Sequence, residues 1–382
     1  MKVLLLGEYS GVHTNLAKAL RDENHEVTLV HDGDSFKKFP ADFYIKYKML
    51  EVKNRKLNLI IKFFYYFLNL TGFCGILQIF KYINVIKTWK NYDVVQLINP
   101  IFINGYGSIV NLFIFIFLRK NNDKVFLCAL GDDYYYIKYG LSKKLEYSIY
   151  DNLKISTSRH YLHSLKYLYG FLMPFLNKYI VDKVDKVIPG LYDYYQAYRF
   201  YGISCSEIVP IIVEYNPDVK PLVFDKYPIK IFHGRQLGRE LTKGDLIFVE
   251  AIKRLKNNYA EKLEYHSVSN VPYDEYIKLF KDCYIFFDQC YSYDCGVNAL
   301  LGMREGKVVF SGFEEDFKNY LELDYYPLIN ALPNVDYIYK EIENLLNNPN
   351  LIGSYSEKAL IFIKNYHNKQ FVLDKYYQIW QS

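Results

Sequence analysis

The stretch that most constrains this chain runs from Asp288 to Gly312, DQCYSYDCGVNALLGMREGKVVFSG. An apolar strand, Tyr284 to Phe287, leads into Asp288-Gln289, and a polar loop follows as far as Gly296. A helix is predicted from Val297, with Ala299, Leu300 and Met303 on one face, and Gly306 stops it. Lys307 to Phe310 is the next strand. Strand, loop and helix N-terminus in that order is where open α/β sheets take ligands, and the exposed N–H groups of such a helix favour an anion. An ordinary βαβ unit with a polar loop reads equally well from this stretch alone.

About fifty residues upstream, the apolar strand Ile229 to Phe232 runs into HGRQLGRELTKG, residues 233–244. Three glycines and three cations, Arg235, Arg239 and Lys243, fall in one strand-to-helix loop. Glycine lets backbone approach a ligand closely, and Arg and Lys pair with phosphate oxygens. A solvated basic loop is the alternative, and a second loop of this kind nearby weakens it.

These two stretches resemble the donor-binding domain of GT-B glycosyltransferases, in particular the large retaining group with a "GR…KG" loop and a "G-x(4)-E-A-M-A-x-G-x-P-V" helix. The helix match is Gly296 to Val309, and Asp288-Gln289 resembles a variant in which "DQ" ends the strand. The likeness is specific over roughly 229–320 and looser, by layout, before it. It implies an α/β chain of GT-B fold, with two Rossmann-like domains facing a cleft. It implies transfer of a sugar, with retention, from a nucleotide-diphosphate sugar to a glycan, lipid-linked or small acceptor. The donor is a substrate; no cofactor and no carboxylate-held metal is implied. The diphosphate would rest on Arg239, Lys243 and the helix start at Gly296, with Arg235 the second choice for the first cation. Gly238, Asp288, Asp294, Val297, Asn298 and Leu301 would complete the donor pocket. One departure stands out: the family's ribose-gripping glutamate falls at Leu301, and the earlier glutamate of the pair at Tyr293. Asp294 or Glu305 could replace the lost acid, Asp294 being nearer the helix start. The other readings are a catalytically silent subunit of the same fold, binding a glycan or a partner enzyme, and a sugar-nucleotide 2-epimerase.

The first half opens with strand Lys2 to Leu6, a turn containing Gly7 and Gly11, helix Thr14 to Arg21 and strand Val27 to Val30. That is a Rossmann-type βαβ opening without G-x-G-x-x-G, so no dinucleotide site is read from it. In the family layout this first loop faces the cleft, which places Gly11 against the donor and His13 against the transferred sugar or acceptor. Strand Lys124 to Leu130 ends in Gly131-Asp132-Asp133. Asp132 or Asp133 could bind acceptor hydroxyls or assist proton transfer, although acids also simply suit turns. Helix 107–118 reads as buried, 141–180 as helical cover, and Ile208 to Ile212 as the last strand of this half.

With 382 residues, 51% apolar and 23% charged, the chain has room for two cores. Residues 1–215 are the expected acceptor domain and 216–228 a proline-marked linker. The donor domain is expected over 229–360, followed by a helix over 361–382 that, by the resemblance, packs back on the first domain. The six cysteines have neither C-x-x-C spacing nor histidines at zinc spacing, so a metal site is not expected and a reduced, cytoplasmic chain is. Lys2 leads straight into a strand, with no secretory leader pattern. The 41 tyrosines, with abundant Lys, Asn and Ile, read as an AT-rich coding bias. Residues 41–91 carry nine Lys or Arg against two acids, a balance of +7, interleaved with short apolar runs. No run spans a bilayer. An amphipathic surface over 46–90 resting on an anionic membrane and a core helix with a solvated basic face are both open. Nucleic acid is not expected: the net charge of +5 is mild and no binding motif is present.

Overall fold

The computed structural model describes residues 1–34, 37–50, 52–154, 159–269 and 273–382. Eleven strands are assigned among them: β1 (Lys2–Leu6), β2 (Glu26–His31), β3 (Phe43–Tyr44), β4 (Val94–Leu97), β5 (Lys124–Ala129), β6 (Lys186–Pro189), β7 (Ile229–Gly234), β8 (Leu263–Val268), β9 (Ile285–Phe287), β10 (Val308–Ser311) and β11 (Ile329–Asn330). The helices of the first half are α1 (Val12–Asp22), α2 (Arg55–Leu70), α3 (Ile76–Ile79), α4 (Ile83–Ile86), α5 (Ser108–Asn121), α6 (Tyr134–Gly140), α7 (Arg159–Tyr169), α8 (Met173–Lys183) and α9 (Tyr192–Phe200). Those of the second half are α10 (Glu240–Lys243), α11 (Asp245–Tyr259), α12 (Tyr273–Asp282), α13 (Val297–Arg304), α14 (Glu315–Tyr320), α15 (Val335–Asn347), α16 (Leu351–Tyr366) and α17 (Lys369–Gln381).

The strands form two parallel sheets, ordered β3-β2-β1-β4-β5-β6 and β11-β10-β9-β7-β8. Val3 to Leu6 are all fully buried, the continuous apolar run expected of a strand covered on both faces. Each sheet has one point where the winding reverses: between β1 and β4 in the first, between β7 and β9 in the second. Ligands of open α/β sheets sit at such points, outside the carboxyl ends of the strands. At the first, Gly7 has φ +86°, and a Cβ there would lie 2.2 Å from Ile98 Cγ2, so only glycine fits.

Three expectations change. Residues 208–212 run beside β6 without joining the ladder: Val209 N donates to the Pro189 carbonyl, but Pro210 has no N–H to continue the pairing. The single long C-terminal helix is two, broken at His367-Asn368, where the Asn368 side chain accepts from Phe371 N and starts α17. And α5 is not enclosed, since Phe113 and Ile116 face outward.

The second of those helices belongs to the first sheet. Val372, Leu373, Tyr376 and Trp380 pack with Leu16, Leu20, Val3, Leu5 and Phe126 in one apolar cluster. The Tyr376 hydroxyl reaches the buried Gln96 amide at 3.5 Å, and Lys124 Nζ donates to the Trp380 carbonyl at 2.9 Å.

Candidate functional site

β7 and β9 are neighbours in the second sheet, so the loops leaving their carboxyl ends, 235–243 and 288–296, lie side by side at its reversal point. Lys243, on the one-turn helix α10, is almost fully buried and donates to Asp288 Oδ1 at 2.8 Å. Asp288 also accepts from Ser311 Oγ at 3.1 Å, and Cys290 N donates to the Lys243 carbonyl at 2.9 Å. Two residues from separate loops therefore form one buried ion pair. Arg235 turns toward α11, where its Nε donates to Asp245 at 3.2 Å. Arg239 has no such partner: its Nε is buried with no hydrogen bond, and its guanidinium forms no ion pair among the described residues. Its charge is felt at the buried Tyr136 hydroxyl of the first half, which directs it to the seam between the halves.

Beside this basic loop, α13 begins without a side-chain cap. The Gly296 Cβ position is open, with only Gln289 Nε2 at 3.9 Å, and Gly238 at φ +83° has nothing within 4 Å. Asn298 is exposed and Val297 half-buried on the first turn. An uncapped helix start presents free N–H groups and the positive end of the helix dipole. With Arg239, it offers an anion two sources of positive potential on adjacent loops.

Neither replacement for the missing glutamate fits. Leu301 is half-buried against the main apolar cluster. Asp294 is buried: its carboxylate accepts from Tyr192 N at 2.9 Å and Cys295 N at 2.5 Å, and burial pushes it up to about 8. It faces the first half, not a ligand. Glu305 pairs with Arg304 at 2.8 Å at the far end of α13, about 12 Å from its start by the helical rise.

The first sheet contributes less than expected. His13 is fully buried, with Nδ1 2.8 Å from the Gly7 carbonyl and Nε2 3.3 Å from Gln96 Nε2. It is enclosed between α1 and the sheet, not turned to an open surface, and burial holds its ring down to about 3. Gly11 N donates to Glu8 Oε1 at 3.0 Å, and Thr14 N to Glu8 Oε2 at 2.7 Å. The buried Glu8 thus fills the start of α1 with the protein's own anion and leaves Gly11 no N–H for a donor. Asp133 is a helix cap, accepting from Tyr136 N and from the Tyr198 hydroxyl, both at 2.8 Å; burial pushes it up to about 6. Asp132 is half-buried and accepts from Ser164 Oγ at 2.8 Å. Lys166 on α7 lies within its field, its ammonium brought down to about 8 by burial. Tyr9, Asp132, Ser164 and Lys166 make the polar group that the first half turns to this end of the sheet.

Loops from both halves meet in a seam beside these sites. Asp193, at the start of α9, accepts from Tyr293 N at 3.2 Å and Asp294 N at 3.1 Å, while Asp294 accepts from Tyr192 N. Each loop supplies the other's acceptor. Tyr147 stacks on Tyr293 with centroids 4.8 Å apart, its hydroxyl bonds Glu314, and Asn152 reaches the Tyr291 hydroxyl at 2.5 Å. A hollow of about 360 Å³ lies on the hinge side of this seam, lined by Leu191, Asp294, Tyr320 and His367. It holds none of Arg235, Arg239 or Lys243, so the charged loops and this hollow are separate features.

No protein-family model matches the sequence, and no curated protein matches it. Solved structures do. Sucrose-phosphate synthase from Thermosynechococcus elongatus superposes with a TM-score of 0.60 at 12% identity, over 100% of this chain and 98% of that one. HepE from Anabaena, in complex with UDP, gives 0.54 at 11% identity over 99% of each chain. HepE with UDP-glucose gives 0.52 at 12% identity, over 100% of this chain and 98% of that one. Two parallel sheets meeting at their carboxyl ends, matched along the whole chain by these structures, establish that the protein has the GT-B fold.

Proposed function

We propose that the protein is a glycosyltransferase that takes a sugar from a nucleotide-diphosphate donor and transfers it, with retention, to a glycan or lipid-linked acceptor in cell-surface glycoconjugate synthesis. One observation carries the reading: at the reversal point of the second sheet, the unpaired Arg239 lies on one loop and the uncapped start of α13 on its neighbour. That arrangement suits a diphosphate, which leaves with growing negative charge that fixed cations and N–H groups offset. Lys243 would join once phosphate displaces Asp288 from it. The bound UDP and UDP-glucose of HepE support a nucleotide-sugar donor here. Asp132 and Ser164 would receive acceptor hydroxyls.

The acceptor side supports a lipid-linked substrate. Among the described residues no helix is long and apolar enough to cross a membrane. Yet one face of α2 is apolar and uncovered: Leu59, Ile60, Phe63 and Phe64 are exposed, Phe63 at 72%. Leu77, Phe80 and Phe171 extend this surface, and Lys53, Arg55, Lys56 and Lys62 surround it. A face of that kind rests on an anionic bilayer.

Leu301 favours a second reading, a silent subunit, because leucine cannot accept from ribose hydroxyls. Calorimetry with UDP, GDP, TDP and CMP separates the two. Micromolar binding of one nucleotide, followed by turnover of its sugar conjugate with an anomeric product of unchanged configuration, is expected. Absence of binding to all of them overturns the enzyme in favour of the silent subunit.

A further inference from the structure

The first half contains an apolar groove of about 620 Å³ that the donor site does not use. Its size lies within the roughly 300–1,000 Å³ that holds small molecules. One wall is α2, through Ile60, Ile61, Phe64 and Leu68; the other is the extended segment 47–50 that follows β3. That segment has no strand partner, and side chains stand in for one. Gln78 Oε1 accepts from Lys48 N at 3.0 Å while its Nε2 donates to the Lys48 carbonyl at 2.9 Å. The Tyr82 hydroxyl does the same for Lys46, at 3.3 and 3.2 Å. The groove is thus a built feature with a pinned wall. Tyr47 stands at its base, 5.0 Å from the Tyr65 ring and 5.8 Å from Tyr106. The segment 45–50 leaves the carboxyl end of β3, the end of the sheet at which Asp132 follows β5.

Its charge is one-sided. Lys48 and Lys81 line it, no acid does among the described residues, and neither lysine pairs with a carboxylate there. Apolar walls ending in two lysines, with no acid beside them among the described residues, suit a hydrocarbon chain carrying a phosphate. We propose that this groove binds the tail and phosphate of an anionic lipid, the lipid end of the acceptor. The inference rests on the glycosyltransferase reading only for the word acceptor.

Decyl phosphate, below its micelle concentration, is the probe. Calorimetry with the full chain is expected to show saturable one-to-one binding, unchanged by UDP, with decanol and inorganic phosphate each at least about tenfold weaker. Ile60→Asp, at an exposed position that leaves the fold intact by circular dichroism, is expected to abolish it. Lys48→Glu with Lys81→Glu is expected to weaken decyl phosphate at least about tenfold while sparing decanol. Phe113→Asp, exposed on α5 outside the groove, is expected to bind as wild type. Non-saturable binding, equal binding by Ile60→Asp, or inorganic phosphate as tight as decyl phosphate overturns the proposal. So does light scattering in which Ile60→Asp turns a dimer into a monomer, because the groove would then be covered by a second copy. If decyl phosphate binds and no nucleotide does, the groove stands and the donor reading falls.

Discussion

Lys243 carries its ammonium into a place where Asp288 already neutralises it, whereas Arg239 forms no ion pair among the described residues. The two cations should therefore respond differently. Arg239→Ala is expected to weaken the nucleoside diphosphate by about tenfold or more, one charge-assisted contact, and to leave the melting temperature unchanged. Calorimetry and a melt check both. Asp288→Asn leaves a buried cation unpaired, a loss of roughly 3–5 kcal/mol where such pairs are broken. Its melting temperature is expected to fall, and to recover further on adding diphosphate than wild type gains, because phosphate takes the carboxylate's place. Equal gains would separate Lys243 from the donor. At this scale the sequence showed the residue types but not their partners. Arg235, Arg239 and Lys243 look alike in HGRQLGRELTKG, and only the fold assigns Asp245 to the first, Asp288 to the third and, among the described residues, no acid to the second. Asp294 and His13 misled for the same reason: a polar residue beside a glycine turn can face a ligand or cap its own backbone, and here both are buried.

At the scale of elements, strand-loop-helix order was legible because it rests on periodicity and glycine placement: β7, β9, α13 and β10 stand where the apolar runs put them. What failed were elements decided by tertiary partners. Ile208 to Ile212 has the composition of a strand, but Pro210 breaks the ladder. The amphipathic α2 was ambiguous, because a basic-aromatic helix reads alike on a core and on a membrane; the structure leaves one apolar face of it exposed. Phe63→Asp with Phe64→Asp is expected to abolish flotation with anionic vesicles without shifting the melting temperature by more than a few degrees, since mostly exposed side chains stabilise little. Added salt is expected to weaken the wild-type protein's flotation.

For the whole molecule, the halves are joined by the half-buried Asp193 and the buried Asp294, each accepting backbone N–H groups from the other's loop. Burial raises Asp193 to about 6 and Asp294 to about 8, against an ordinary value of 3.8. A carboxyl raised in the joined form holds its proton there while the separated form loses it. The contact is therefore unimpaired below about pH 4, is weakened progressively as pH rises toward 8, and changes little beyond. The melting temperature is expected to fall by a few degrees, roughly, between pH 5 and pH 8, and Asp294→Asn is expected to flatten that slope. A slope identical in the variant would place the proton elsewhere. None of this seam was legible in the sequence. The tyrosines that composition assigned to coding bias include Tyr147, Tyr291 and Tyr293, whose value lies in meeting across more than a hundred residues. The same separation governs α17. Trp380 lies against Phe126, and Tyr376 reaches Gln96 in the middle of the first sheet. During synthesis at about 5–20 residues per second, the first half must therefore wait many seconds with an apolar face of its sheet uncovered. A sheet begun early is thus covered only when α17, some way behind it in the chain, has emerged and packed on it.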